Sequence, residues 1–88
     1  MASGTIRYWA AAKAAVGRAE EPYEAATLAE ALDGARHRHG TNAEFARVLG
    51  RCSFLVDGTA VGRRTHDAVE LTEGGTVEVL PPFAGGAQ

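Results

Sequence analysis

Two stretches of the chain alternate apolar and polar residues, and two others repeat apolar residues at helical spacing. In Thr5-Ile6-Arg7-Tyr8-Trp9, rich in β-branched and aromatic side chains, a period of two sets Ile6 and Tyr8 on one face and Arg7 and Trp9 on the other. This predicts a first strand. Ala10 to Val16 follows as an alanine-dense segment of high helix propensity, and Gly17 after it suits a left-handed C-cap. Glu21-Pro22-Tyr23-Glu24-Ala25 reads as a second strand, confined to a strand start or a sheet edge because Pro22 has no amide hydrogen to give a ladder.

Thr27-Leu28-Ala29-Glu30 has the spacing of a capping box, with Thr27 accepting from the amide of the third helical residue and the Glu30 carboxylate reaching back. Leu28, Ala31, Leu32 and Ala35 then recur along one face before Gly40, which predicts the main helix. Thr41-Asn42-Ala43-Glu44 repeats the box with Thr41 as its cap, and Phe45, Val48 and Leu49 define a second, short helix ending at Gly50. Cys52 to Val56 is an apolar run stopped by Asp57-Gly58, a strand entering a turn, and Asp67 to Leu71 reads as a brief strand. After the turn Glu73-Gly74-Gly75, Thr76 to Leu80 alternates as a last strand with Val77 and Val79 toward the core.

The order strand, strand, helix, strand, strand predicts an α+β domain over residues 1–80. A mixed sheet of four to five strands wraps one main helix, with short extra helices beside it. Such connections require antiparallel pairs together with a parallel pair between the first and last strands. The ubiquitin-like β-grasp arrangement meets both requirements.

Residues 81–88 fall outside this body. Pro81 and Pro82 cannot continue a ladder, so an extended, flexible C-terminal tail is expected from Pro81 onward. In the polyproline conformation, at about 3.1 Å per residue, Pro81, Pro82, Phe83, Ala84, Gly85 and Gly86 span roughly 18 Å, enough to enter a distant active site. Gly85 and Gly86 lack Cβ atoms, so their backbone passes a narrow channel and lets reacting atoms approach the carbonyl. Phe83 is the aromatic anchor of the segment, and no charged side chain occurs from Val79 to Gln88.

Composition narrows the class. A chain of 88 residues buries only about 60 to 65% of its unfolded surface, which leaves little room for a deep catalytic cleft and favours a binding or carrier module. Eleven acids against nine bases give a net charge of -2, without the basic excess that duplex binding demands, so no nucleic-acid partner is expected. The one cysteine, Cys52, can form neither an internal disulfide nor a CxxC pair, and a free thiol fits a reducing, cytoplasmic setting. Met1-Ala2-Ser3-Gly4 lacks a cationic leader, and no apolar run approaches the roughly 20 residues that span a bilayer, so no membrane association is expected.

With these residues in view the chain resembles the ubiquitin-like sulfur carriers (MoaD and ThiS), and most closely the small-subunit type of molybdopterin synthase (MoaD). The resemblance rests on Arg7-Tyr8-Trp9-Ala10, Thr27-Leu28, Leu55-Val56-Asp57-Gly58, Asp67 through Gly74, and above all Val77-Glu78-Val79-Leu80-Pro81-Pro82-Phe83-Ala84-Gly85-Gly86. It implies a carrier with no catalytic side chain and no bound cofactor. An adenylating partner of the ubiquitin-activating type uses ATP on the carboxylate of Gly86, and a sulfur donor displaces AMP to leave a thiocarboxylate. The sulfur then passes to the large subunit of a synthase or its equivalent, with the molybdopterin precursor as first choice of acceptor. Pathways to cysteine, thiamine or a sulfur-containing secondary metabolite remain open, as does a protein modifier joined to lysines.

Here Gly86 is followed by Ala87 and Gln88, whereas carriers of this kind end at Gly-Gly. The resemblance therefore implies either that Ala87-Gln88 is a cleavable extension, removed first by a partner metallopeptidase, or that this chain is not activated in the usual way.

Other residues carry weaker signals. Trp9 and Phe54 are docking candidates because aromatic residues dominate interfaces, and Leu55 takes the face opposite Phe54, Cys52 and Val56. Which face is outward stays open. Cys52 suits core packing. His37 and His39, about 200° apart around a helix, cannot ligate one metal from it, and with Arg36 and Arg38 they read as a solvated basic surface. No metal site is expected.

Overall fold

In the computed structural model, which describes residues 1–82, the chain forms β1 (Ala2–Tyr8), α1 (Ala10–Val16), β2 (Glu20–Ala25), α2 (Leu28–Arg38), α3 (Ala43–Leu49), β3 (Ser53–Val56), β4 (Thr59–Ala60), a 3-10 turn at His66–Ala68 and β5 (Thr76–Leu80). The sheet order is β2-β1-β5-β3-β4. β1 and β5 run parallel at its centre and every other pair is antiparallel, as the element order requires. Phe83, Ala84, Gly85, Gly86, Ala87 and Gln88 lie outside the described residues, so of the tail only Pro81 and Pro82 have a described place.

One face of the sheet is closed by apolar burial. Ile6 and Tyr8 from β1, Val77 and Val79 from β5, and Phe54 and Val56 from β3 point inward onto Leu28, Ala31, Leu32 and Ala35 of α2 and onto Phe45 and Leu49 of α3. Gly17 has the expected left-handed backbone, φ 84°, and its amide caps α1 on Lys13 O. Asp57 and Gly58, at φ 51° and 83°, make the turn between β3 and β4, and the Asp57 carboxylate accepts from Thr76 N and the Thr72 hydroxyl, which pins that turn to the start of β5.

Several boundaries differ from the sequence expectation. β1 begins at Ala2, not Thr5, because pairing of Ala2, Ser3 and Gly4 with Ala25, Glu24 and Tyr23 overrides the low strand propensity of those small residues. Gly4 is required there, since a Cβ would lie 2.4 Å from Gly75 O and 2.5 Å from the Tyr23 ring. Asn42, not Thr41, caps α3, accepting from Phe45 N at 2.9 Å. The Thr27 cap is present, but Glu30 reaches one residue further back, to Ala26 N, instead of closing the box on Thr27. The strand expected over Asp67 to Leu71 is instead the 3-10 turn, followed by a single bridge between Thr27 and Glu70. Leu28 N to Val69 O and Leu71 N to Ala26 O satisfy that backbone against the start of α2.

The main surprise inside is Glu21. Period two along β2 sets it with Tyr23 and Ala25 on the inner face, where it is 4% exposed. A buried carboxylate persists only when paired. Here Tyr8 OH donates to it, Arg38 Nε lies 3.3 Å and Arg18 Nη1 3.5 Å away, and His39 Nε2 is 3.1 Å from its second oxygen. Arg38 and His39 are therefore not the freely solvated pair expected from sequence; Arg36 and His37 are exposed. His39 and Tyr8 in turn pack edge-on against Phe45, at 5.2 and 5.6 Å, so the cluster also fixes α3.

Two outcomes follow. Leu32→Ala, deleting a side chain that is 1% exposed, is expected to cost about 2 to 5 kcal/mol in chemical denaturation. For Glu21, burial pushes the carboxyl pKa up, but the hydrogen bonds from Tyr8, Arg38 and His39 outweigh it and hold the group below its ordinary value of 4.5. A depressed folded-state value stabilises the fold above the unfolded pKa and is lost as pH falls through it. Glu21→Gln should therefore flatten the acid limb of a stability-against-pH curve below about pH 4.5 while lowering stability at neutral pH; an unchanged acid limb would show that Glu21 is not the linked group.

Candidate functional site

The site assembles where β5 ends, because the tail can leave only from there. The parallel register pairs Tyr8 with Val79, and Trp9 N donates to Val79 O at 3.2 Å. The last strand therefore finishes beside the junction of β1 and α1. Leu80 is held on its other side by Ser53, after which Pro81, half-buried, and Pro82, exposed, carry the chain off the sheet.

The expected docking residues separate. Trp9 is 40% exposed; it caps α1 instead of extending β1. Its indole lies 5.1 Å from the Arg7 guanidinium and donates to Glu78 Oε1 at 3.1 Å. Arg7 also faces Glu20 at 3.8 Å. Leu55 is half-buried on this same outer face, directly opposite Glu78. Phe54 is a correction: at 6% exposed it is part of the core, edge-on to His66, and offers nothing to a partner. The outward face is thus that of Leu55. Cys52, outside β3, packs half-buried with Sγ donating to Val48 O, and burial pushes its thiol up to about 11, so it is held as an unreactive thiol.

Two hollows flank the prolines. One, of about 330 Å³, lies among Trp9, Ala10, Ser53, Leu80, Pro81 and Pro82. The other, of about 290 Å³, lies between the prolines and α3, reached by Ala11, Glu44, Arg47, Val48 and Arg51. Nothing along the chain shows that α3, and with it Arg47 and Arg51, flanks the tail. Asn42 sets that placement: besides capping α3, its Nδ2 donates to Ala15 O and ties α3 to α1. Ala10, at the rim of the first hollow, has a left-handed backbone at φ 48°, a conformation found at strained, functional positions.

The ThiS family model matches residues 6–86, and the chain belongs to this family of ubiquitin-like sulfur carriers and modifiers. Solved structures that share the fold include three from different organisms. Small archaeal modifier protein 1 of Methanosarcina acetivorans superposes with a TM-score of 0.81 at 18% identity over 98% of each chain. A chain of the BexX/CysO complex of Amycolatopsis orientalis gives 0.75 at 22%, covering 94% of this chain and 99% of its own. One from the complex of molybdopterin-converting factor subunits 1 and 2 of Helicobacter pylori gives 0.65 at 19%, covering 96% and 99%. No curated protein matches the chain. The architecture is the ubiquitin-like β-grasp expected from the element order. Among the described residues no helix is long and apolar enough to cross a membrane and no group of three or more His, Cys, Asp or Glu is placed to hold a metal.

The strain at Ala10 gives a sharp test of this geometry. Glycine there relieves a left-handed penalty of about 1 to 2 kcal/mol against an entropic loss of about 0.5 to 1 kcal/mol. Ala10→Gly should raise the melting temperature, and a fall would place Ala10 in an ordinary helical conformation.

Proposed function

We propose that this chain is a sulfur carrier whose reacting group is the carboxyl of Gly86. An adenylating enzyme of the ubiquitin-activating type joins that carboxylate oxygen to the α-phosphorus of ATP and releases pyrophosphate. A sulfur nucleophile then attacks the carbonyl carbon, the bond to AMP breaks, and Gly86 is left as a thiocarboxylate. Activation is needed because a carboxylate oxygen is a poor leaving group until it is phosphorylated. Pro81, Pro82, Phe83, Ala84 and Gly85 form the lead that carries Gly86 into the partner, and the carrier contributes no catalytic side chain.

One observation carries the reading: the family match runs through Gly86 and stops there, leaving Ala87 and Gln88 beyond it. The fold supports it by releasing the chain from a central strand beside a partly exposed tryptophan and two hollows. The Helicobacter pylori and Amycolatopsis orientalis relatives are each described in a complex with a second protein, which fits a chain that works against partners. The ending Leu-Pro-Pro-Phe-Ala-Gly-Gly points to the molybdopterin precursor as sulfur acceptor, delivered in a synthase large subunit. The setting is cytoplasmic, and ATP is the partner's substrate.

Ala87-Gln88 acts on this reading as a block. The two residues put any free carboxylate about 7 Å beyond Gly86 when extended and add Cβ bulk that a channel shaped for glycine excludes; a metallopeptidase cutting after Gly86 removes them. Incubated with the adenylating enzyme, ATP and sulfide, protein ending at Gly86 should gain the mass of one sulfur less one oxygen, while the chain through Gln88 should not. Gly86→Ala in the trimmed form should impair the conversion while leaving the melting temperature within the small range of exposed sites. Thiocarboxylation of the chain with Ala87-Gln88 still attached would remove the block, and conjugates to target lysines in its place would make the chain a modifier.

A further inference from the structure

The two hollows beside the prolines differ in how their charges are used. Around Trp9 they are already engaged within the molecule: the indole with Glu78, and Arg7 with both the indole and Glu20. On the α3 side they are engaged only in part. Arg51 is exposed and forms no ion pair among the described residues. Arg47 pairs only with Glu44, one turn earlier on the same helix, where both side chains are more than half exposed, at 66% and 57%. A pair so open to water contributes little and gives way readily to a better-placed carboxylate.

Between these two guanidiniums and the departing chain lie apolar surfaces. Val48 and Pro81 are half-buried, and Ala11 and Pro82 are exposed. The volume of about 290 Å³ is at the lower limit of small-molecule sites, so it suits one or two side chains of a larger partner. Arg51, without an ion pair among the described residues, and Arg47, held only by the exposed Glu44 at the same rim, stand beside a small apolar hollow and match an acidic residue next to an aliphatic one. A nucleotide triphosphate satisfies the charges and leaves the apolar wall uncovered.

We propose that the hollow between α3 and Pro81-Pro82 receives an acidic, aliphatic-bearing segment of the enzyme that activates the tail. This rests on the carrier reading, since that enzyme must grip the chain at the point where the tail departs. Arg47 and Arg51 meet its carboxylates, and the side chain between them fills the space beside Val48 and the prolines. The surface lies on the helical side of the exit, away from the outer sheet face of Leu55, so the enzyme holds the tail from a direction the sheet does not offer. Charges placed at such a rim speed encounter and fix register, and their effect weakens with salt.

The test uses protein ending at Gly86 and the purified ubiquitin-activating-type enzyme encoded in the same organism, with affinity measured by titration calorimetry at low and high salt and ATP-dependent adenylation followed in parallel. R47E/R51E, two exposed substitutions that should leave the melting temperature near that of the parent, is expected to bind about tenfold more weakly and to lose the salt dependence the parent shows. Amide shifts in the parent on addition of enzyme should include Ala11, Val48 and Arg51. If the parent binds and is adenylated but the double variant binds within about twofold, or the shifts gather instead on Leu55 and Leu80, this docking site is wrong and the carrier reading stands. If the parent itself is neither bound nor adenylated, the carrier reading falls and this proposal with it.

Discussion

Everything at the working end of the molecule depends on the parallel pairing of β1 with β5. Ladder partners run from Thr5 and Thr76 to Tyr8 and Val79, and the pairing is closed by Thr5 N to Gly75 O at one end and Trp9 N to Val79 O at the other. A parallel pair cannot be joined by a tight turn, so most of the chain is spent on the connection between the two strands. That connection contains both α2 and α3. The geometry which brings the first and last strands together therefore also lays the helices beside the point where the last strand ends.

Apolar packing is joined there by a polar cluster that ties the helices to the sheet. Glu21 projects from β2 into the space between β1 and the end of α2, and its partners come from β1, the α1–β2 loop, the end of α2 and the residue just after it. Without these partners the carboxylate would stand in a place where a lone charge is very costly. Phe45, wedged between Tyr8 and His39, passes this constraint to α3. The position of Val48 and Arg47 beside the prolines is in this sense set by a carboxylate on another strand.

Much of this was legible along the chain. The alternation of Ile6, Tyr8, Val77 and Val79 reads as two half-buried strands because a single apolar core imposes that period on each. Leu28, Ala31, Leu32 and Ala35 read as one helix face for the same reason. The end of β5 was legible because Pro81 and Pro82 act on the backbone itself, whatever surrounds them. Residues whose role is set by distant neighbours were harder. Phe54 and Leu55 are equally apolar, and only the register against β5 decides that Phe54 turns inward. Thr41 and Asn42 are both good caps, and the choice depends on Asn42 also reaching Ala15 O. Glu21 was the instructive miss: continuing the alternation of Tyr23 and Ala25 one step back points it inward, but the charge argues for water. The segment 67–71 lost its strand because its hydrogen bonds go to the start of α2, a partner that local pattern does not reveal.

The two edges of the sheet lend themselves to one last reading. β2 interrupts its outer ladder with Pro22, flanked by Glu20 and Glu24, and β4 on the opposite edge is two residues long and gives way after Val61 to Gly62 at φ 62°. Neither presents a row of free amides and carbonyls on which another strand could grow. The fold thus resists the edge-to-edge stacking that leads small sheets into fibrils.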